Sequence, residues 1–386
     1  MAQWLRAAAT AAVILFQTAG FAAPAQNPLG AADLWQAYAG HFLSSDGRVI
    51  DPQGGDRTTS EGQSYAMFFA LVNNDRARFD QILAWTEQNL ADNRLGEQLP
   101  AWEWGKRKDA SWGKMDPNSA SDSDLWIAYD LLEAGRLWKE PKYTAIGKRM
   151  LPEIARRETA TLSGFGPVLL PGEYGFHLKT SWIMNPCYTP LFLLERLAKA
   201  DPAGPWMGIA RKQAELIEDS SPEGFTMDWV SYTPGIGFAP SVESAVKSDG
   251  AVGSYDAIRV YLWAGMTSED QPGRGKILKS LHGMSEYLKN HDAPPEKVNA
   301  MGQPLANEGP VGFSAAVLPF LSALSDSAAM ARQMQRIESQ LDEKTGLYGK
   351  VPTYYDQNLI LFGMSWIEKQ FRFSASGDLI VSWQHR

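Results

Sequence analysis

The sequence predicts an all-α fold with elaborated loops and a few short strands. Three observations carry that prediction. Apolar residues recur at helical spacing in one segment after another,. The stretches between those segments are rich in Gly, Pro and aromatic residues,. No Gly/Ser/Pro-rich linker or charge block divides the 386 residues, which favours one large domain over the two that length alone would allow,.

Residues 1–25 combine Arg6, an apolar run of about a dozen residues and small residues around Ala22 to Ala25, the pattern of a secretory signal peptide,. Its apolar run is too short to span a bilayer, and no later segment reaches the roughly 18 uninterrupted apolar residues of a membrane helix. Cleavage is expected between Ala22 and Gln26. Residues 1–23 then form the leader and 24–386 a single domain that is exported and soluble, without a membrane span.

Helices are predicted in order along that domain. The first runs from Ala31 to Leu43, and the second lies within the stretch from Thr58 to Asp75, where Glu61 opens an otherwise apolar run. After a short Asn73-Asn74-Asp75 turn, Phe79, Ile82, Leu83, Thr86 and Leu90 fall at i, i+3, i+4, i+7 and i+11, one face of a third helix,. Similar runs cover Leu125 to Trp138, Tyr143 to Arg157, Ser181 to Lys199, Trp206 to Glu218, Ala257 to Met266, Gly275 to Asn290, Gly312 to Leu324, Ala328 to Leu341 and Asp356 to Lys369. Leu162 to Gly175 and Tyr232 to Gly253 read as long loops with strand-like pieces.

Composition removes several function classes. A formal net charge of −8 argues against a nucleic-acid partner and suits a neutral ligand,. The single cysteine, Cys187, cannot form an intramolecular disulfide, so stability rests on packing, for which the chain has ample core,. The five histidines show no metal-ligand spacing, and no phosphate loop or dinucleotide fingerprint stands between a strand and a helix, so neither a metal nor an organic cofactor is expected,. Gly62-Gln63-Ser64-Tyr65-Ala66 imitates a nucleophile elbow but follows a polar loop rather than a strand. Ser244-Ala245-Val246-Lys247 with Lys344-Thr345-Gly346 imitates the pair of motifs in penicillin-binding proteins, yet the second reads as a polar turn where a strand is required.

Three acids stand at helix starts. Glu61 follows Ser60, Asp122 follows Ser121, and Asp256 follows Ser254 and Tyr255, with each serine expected as the N-cap,. A carboxylate in a first turn stabilises any helix by complementing its dipole. Here, though, Tyr65, Trp102, Trp104, Trp112, Trp126, Tyr188 and Tyr255 crowd near the acids, and Trp and Tyr can stack on the apolar faces of sugar rings. Two carboxyl groups across a glycosidic bond suffice for hydrolysis, one protonating the leaving oxygen and the other activating water or attacking carbon. Because a helix N-terminus favours the charged form, an acid in that place needs burial or a like-charged neighbour to hold a proton; for Glu61 that neighbour is expected to be Asp122.

The stretch from Ala120 to Trp138, with its Asp-x-Asp, resembles the signature of glycoside hydrolase family 8. The resemblance extends in order through Ser60-Glu61-Gly62-Gln63-Ser64-Tyr65, Trp102-Glu103-Trp104, Asn185-Pro186-Cys187-Tyr188 and Ser254-Tyr255-Asp256-Ala257-Ile258-Arg259. It implies an (α/α)6 barrel whose inner helices present their N-termini to an open cleft. It further implies an inverting endo-β-1,4-glucanase acting on cellulose chains in the periplasm during bacterial cellulose synthesis, with the cellulose synthase export machinery as a partner. Glu61 is similar to the general acid and Asp256 to the general base, while Asp122 is similar to the residue that holds the sugar at the scission point. Family members differ in where the base lies, so Asp228 and Asp249 stand as further candidates. Arg259 is similar to an arginine that pairs with the family's carboxylates; as a plain i, i+3 pair with Asp256 it would be worth little. Trp102, Trp104, Trp112, Tyr188, Tyr255, Tyr354 and Tyr355 are the expected sugar contacts. Chitosan, xylan or mixed-linkage glucan would suit the same chemistry, and a non-catalytic glucan-binding export component would suit the same platform.

Overall fold

A computed structural model describes residues 30–241, 251–305 and 307–385. The expected leader at 1–23, the Ser244/Lys247 motif and Asp249 lie outside the described residues. Among those described, the helices are α1 (Ala31–Phe42), α2 (Ser60–Val72), α3 (Arg76–Leu90), α4 (Ser121–Leu137), α5 (Pro141–Glu158), α6 (Leu191–Ala200), α7 (Trp206–Asp219), α8 (Ala257–Met266), α9 (Arg274–Ser280), α10 (His282–Leu288), α11 (Val311–Ala323), α12 (Ser327–Glu338) and α13 (Tyr354–Ile367). None of them is long and apolar enough to cross a membrane.

Burial sorts these helices into two rings. In α2 every residue except Glu61 is buried, and all ten residues of α8 are buried. By contrast, α12 buries only Ala329, Gln333 and Ile337, a stripe at i, i+4, i+8, with its polar face in solvent,. Packing follows the same division. α2, α4, α6, α8, α11 and α13 form an inner ring that closes where α13 meets α2, with the 3₁₀ turn Pro186–Tyr188 bridging α4 and α8 beside α6. α1, α3, α5, α7, α9 and α12 back the inner helices from outside. The result is the (α/α)6 barrel.

Aromatic rings fill the barrel axis. Phe68 of α2, Trp126 of α4, Trp263 of α8 and Phe362 of α13 stand with centroids 5.0 to 5.4 Å apart in their closest pairs. Tyr65, one turn nearer the N-terminal end of α2, lies edge-on to Trp126 and Phe362. Such contacts between four helices hold the ring at fixed radius and support whatever sits above Tyr65.

Two predicted helices are interrupted. Ser181 to Lys199 is helical only from Leu191; before it come a strand and the 3₁₀ turn. Pro186 and Pro190 explain this, since each removes an N–H and pushes the preceding residue to extended geometry, as at Asn185 (φ −114°, ψ 112°),. Gly275 to Asn290 breaks at Leu281 into α9 and α10. The break lays Gly283 against the loop at Glu223, so closely that a Cβ there would meet the Glu223 carbonyl oxygen at 2.5 Å,.

Short strands decorate the N-terminal end of the inner ring. β1 (Thr58–Thr59), β2 (Glu103–Lys106) and β3 (Trp112–Asp116) form one antiparallel sheet beside α2. β4 (Thr159–Leu162) pairs with β5 (Gly166–Leu169), while β6 (Trp182–Met184), β7 (Trp229–Thr233) and β8 (Gly237–Ser241) form a second three-stranded sheet. The strand-like pieces within the two long loops are thus β5, β8 and the short β9 (Val252–Gly253), which pairs with β10 (Val298–Asn299).

Candidate active site

Glu61, Asp122 and Asp256 come together at the N-terminal ends of α2, α4 and α8, where they line one open pocket with Arg57, Trp102, Tyr188, Arg259 and Tyr354. None of the three serines is the cap. α2 is capped by Thr59, whose Oγ1 accepts from the Gly62 N–H at 3.1 Å, and Ser60 is the first helical residue, its hydroxyl 2.6 Å from that of Ser123. Ser121 likewise lies inside α4, after Ala120 in the extended cap position. Asp256 itself occupies the N-cap of α8, and the Ser254 hydroxyl donates to the Glu296 carbonyl at 2.7 Å. In the first two cases the chain turns helical one residue earlier than a serine cap requires.

Arg259, one turn into α8, joins the acids. Its Nη1 donates to Glu61 Oε2, to Asp122 Oδ2 at 3.2 Å and to the Tyr65 hydroxyl at 3.0 Å, and its Nη2 donates to Asp256 Oδ1. The guanidinium side chain is 3 % exposed, against 18 % for Glu61, 7 % for Asp122 and 26 % for Asp256. Arg259 is therefore far more than a surface i, i+3 partner: one permanently charged fork serves three carboxyls, on two different nitrogens. Three acids against one cation leave a surplus of negative charge in a poorly solvated place. Burial pushes the Asp122 carboxyl up to about 7, Arg259 opposing the rise and Glu61 adding to it,.

The expected sugar contacts divide by position. Tyr188 and Trp102 are pocket walls, with Tyr188 facing the Arg259 guanidinium at 5.9 Å. Tyr354 opens α13, and its hydroxyl lies 3.4 Å from Glu61 Oε1. Tyr355 donates to the carbonyl of Tyr255, and Tyr255, 43 % exposed, packs against Phe313 and Tyr355 at the rim. Trp104 and Trp112 do not line the acid pocket. They stack on each other across β2 and β3 at 5.3 Å, with the Arg48 guanidinium over both rings, as a separate aromatic surface on the hairpin.

Sequence reasoning missed Arg57, which lines the pocket and is held by Asp51 and Glu103 at 3.1 Å each; the partner from β2 is 46 residues away, beyond any local pattern. Asp228, a fallback base, spends one carboxylate oxygen on backbone amides flanking Asp256, accepting from Ser254 N–H at 2.7 Å and Ala257 N–H at 2.8 Å. Ser64 is buried inside α2 and donates to the Glu61 carbonyl, which excludes the elbow even though two-residue β1 precedes the helix. Lys344-Thr345-Gly346 is a turn, as expected.

The family model described as "Glycosyl hydrolases family 8" matches residues 4–369. An endoglucanase of Xanthomonas axonopodis pv. citri is 44 % identical over 371 residues, 96 % of this chain and 94 % of that protein. One from Escherichia coli K12 is 43 % identical over 350 residues, 90 % of each chain. The crystal structure of endo-1,4-D-glucanase from Vibrio fischeri ES114 superimposes with a TM-score of 0.84 at 40 % identity, over 91 % of this chain and 99 % of that one.

Proposed function

The chain belongs to family 8 of the glycosyl hydrolases, and from that membership we propose that it is an inverting endo-β-1,4-glucanase acting on cellulose chains. The observation that carries the reading is the convergence of Glu61, Asp122 and Asp256 on Arg259 in an open pocket with aromatic walls.

In this reaction Glu61 gives its proton to the glycosidic oxygen as the C–O bond breaks. Asp256, the most exposed of the three, takes a proton from the water that attacks the opposite face of the anomeric carbon. Inversion needs acid and base about 6.5 to 9.5 Å apart to admit that water. Arg259 serves this geometry by keeping Glu61 on Nη1 and Asp256 on Nη2. Glu61 Oε2 is bound to the guanidinium, while Oε1 accepts from the Tyr354 hydroxyl at 3.4 Å. Asp122, buried deeper, grips the hydroxyls of the sugar at the scission point, and Tyr188 and Trp102 stack on its neighbours.

The cellular reading rests on residues 1–25 and on the family resemblance: removal of about 23 residues exports the remaining chain as one catalytic unit to the periplasm. There it trims cellulose during synthesis and export, beside the cellulose synthase machinery.

The test follows viscosity and reducing ends on carboxymethylcellulose, with xylan, chitosan and mixed-linkage glucan in parallel. Internal cleavage predicts a steep fall in viscosity at few new ends, greatest on the cellulose derivative, and a loss of about 10² to 10⁴ in rate for Glu61→Gln. Faster turnover of another glycan would reassign the substrate, and full activity in the variant would remove Glu61 from the chemistry.

A further inference from the structure

Asp256 stands where an aspartate ordinarily folds back to cap its own helix, yet its side chain makes no cap bond,. The reason lies in the backbone around it. The Ile258 N–H is taken by the Ser254 carbonyl at 3.0 Å and the Arg259 N–H by the Asp256 carbonyl at 3.1 Å. The remaining amide of that first turn, Ala257 N–H, goes to Asp228 Oδ1, which also accepts from Ser254 N–H two residues before Asp256. Asp228 immediately precedes β7, and its own N–H donates to the Val252 carbonyl at 2.8 Å. One residue just before the second sheet thus clamps the chain at Val252, Ser254 and Ala257, on both sides of the residue that must face the cleft.

We propose that Asp228 is a positioning residue for Asp256: by accepting from the amides of Ser254 and Ala257 it fixes the backbone on both sides of Asp256, and so the direction from which its carboxylate meets the attacking water. The proposal rests on the reading of Asp256 as general base. Asp228 acts here as a hydrogen-bond acceptor with no proton to move. A misplacement of about 1 Å at a reacting group can cost on the order of 10² in rate, and that is the scale of effect expected.

The experiment measures kcat and KM separately on a soluble cello-oligosaccharide for the full chain and for Asp228→Ala, Asp228→Asn and Asp256→Asn. Asp228→Ala, which removes the acceptor, is expected to lose about a hundredfold in kcat with KM moved far less. Asp228→Asn, whose amide oxygen can accept the same two N–H groups, is expected to recover to within about tenfold of the wild type, because Asn and Asp are equivalent caps. Inactivity of Asp228→Asn equal to that of Asp256→Asn, with both variants folded by circular dichroism, would overturn the proposal by making Asp228 the proton acceptor. An unchanged kcat in Asp228→Ala would overturn it by showing that the clamp is dispensable. Wild-type activity in Asp256→Asn would overturn it differently, by removing the base that Asp228 is said to position. If Asp228→Ala does not fold, the asparagine variant alone still decides between acceptor and base.

Discussion

At the scale of single residues the account turns on Arg259. Its link to Asp256 three residues earlier could be read from spacing, but Glu61 is 198 residues away and Asp122 137 away, and no local pattern announces those bonds. The acids themselves could be picked out because three helix starts carry a carboxylate with Trp and Tyr nearby and fall within the stretches of family resemblance. Their caps were not, since a serine before a helix fits N-cap and first-turn positions equally well until backbone geometry chooses. Arg259→Met leaves three carboxyls without their cation. Breaking a buried ion pair typically costs about 3 to 5 kcal/mol, which denaturant unfolding would detect. The Asp122 carboxyl should rise further above about 7, since Arg259 is what opposes its burial,. A variant as stable as the wild type would show that the acids do not depend on this bridge.

At the scale of elements, the outer helices were the easiest to read because one face meets solvent, as in α12,. Inner helices such as α8 and α11 are buried on nearly every face and were found from their apolar spacing. The misread pair, Ser181 to Lys199 and Gly275 to Asn290, failed where a proline or a close glycine contact overrode an apolar run. The junction of α4 and α5 makes a prediction of its own. Asp124, two residues after Asp122, and Glu158, the last residue of α5, are fully buried close together, with the Ser119 hydroxyl donating to Glu158 Oε1 at 2.5 Å. Burial raises both carboxyls, Glu158 to about 8, with Asp122 and Glu173 adding to the rise and Arg157 opposing it at Asp124. Folded pKa values above the unfolded value of about 4 mean that the native state binds more protons. Stability is then fully present below pH ~4 and is lost as pH rises toward about 8. Glu158→Gln, which holds a neutral partner at every pH, should flatten that decline in a plot of melting temperature against pH. An unchanged slope would show that the pair does not govern it.

At the scale of the whole molecule, the barrel explains why residues from Glu61 to Tyr354 meet at all. Six inner helices that close a ring with α13 against α2 must gather their N-termini at one end, and four of them bring a site residue there. Periodicity could reveal the helices but not the ring; that came with the family resemblance, because ring closure depends on contacts between ends of the chain. The N-terminal ends also concentrate positive dipole ends, which helps hold three carboxyls in one pocket. The assignment of acid and base across that pocket is the central claim. It is tested most directly by proton NMR of cello-oligosaccharide hydrolysis with the mature protein, Glu61→Gln and Asp256→Asn. The account predicts that the α-anomer appears first from the β-linked substrate and that both variants abolish its release. First appearance of the β-anomer, or cleavage that survives Asp256→Asn, would contradict it.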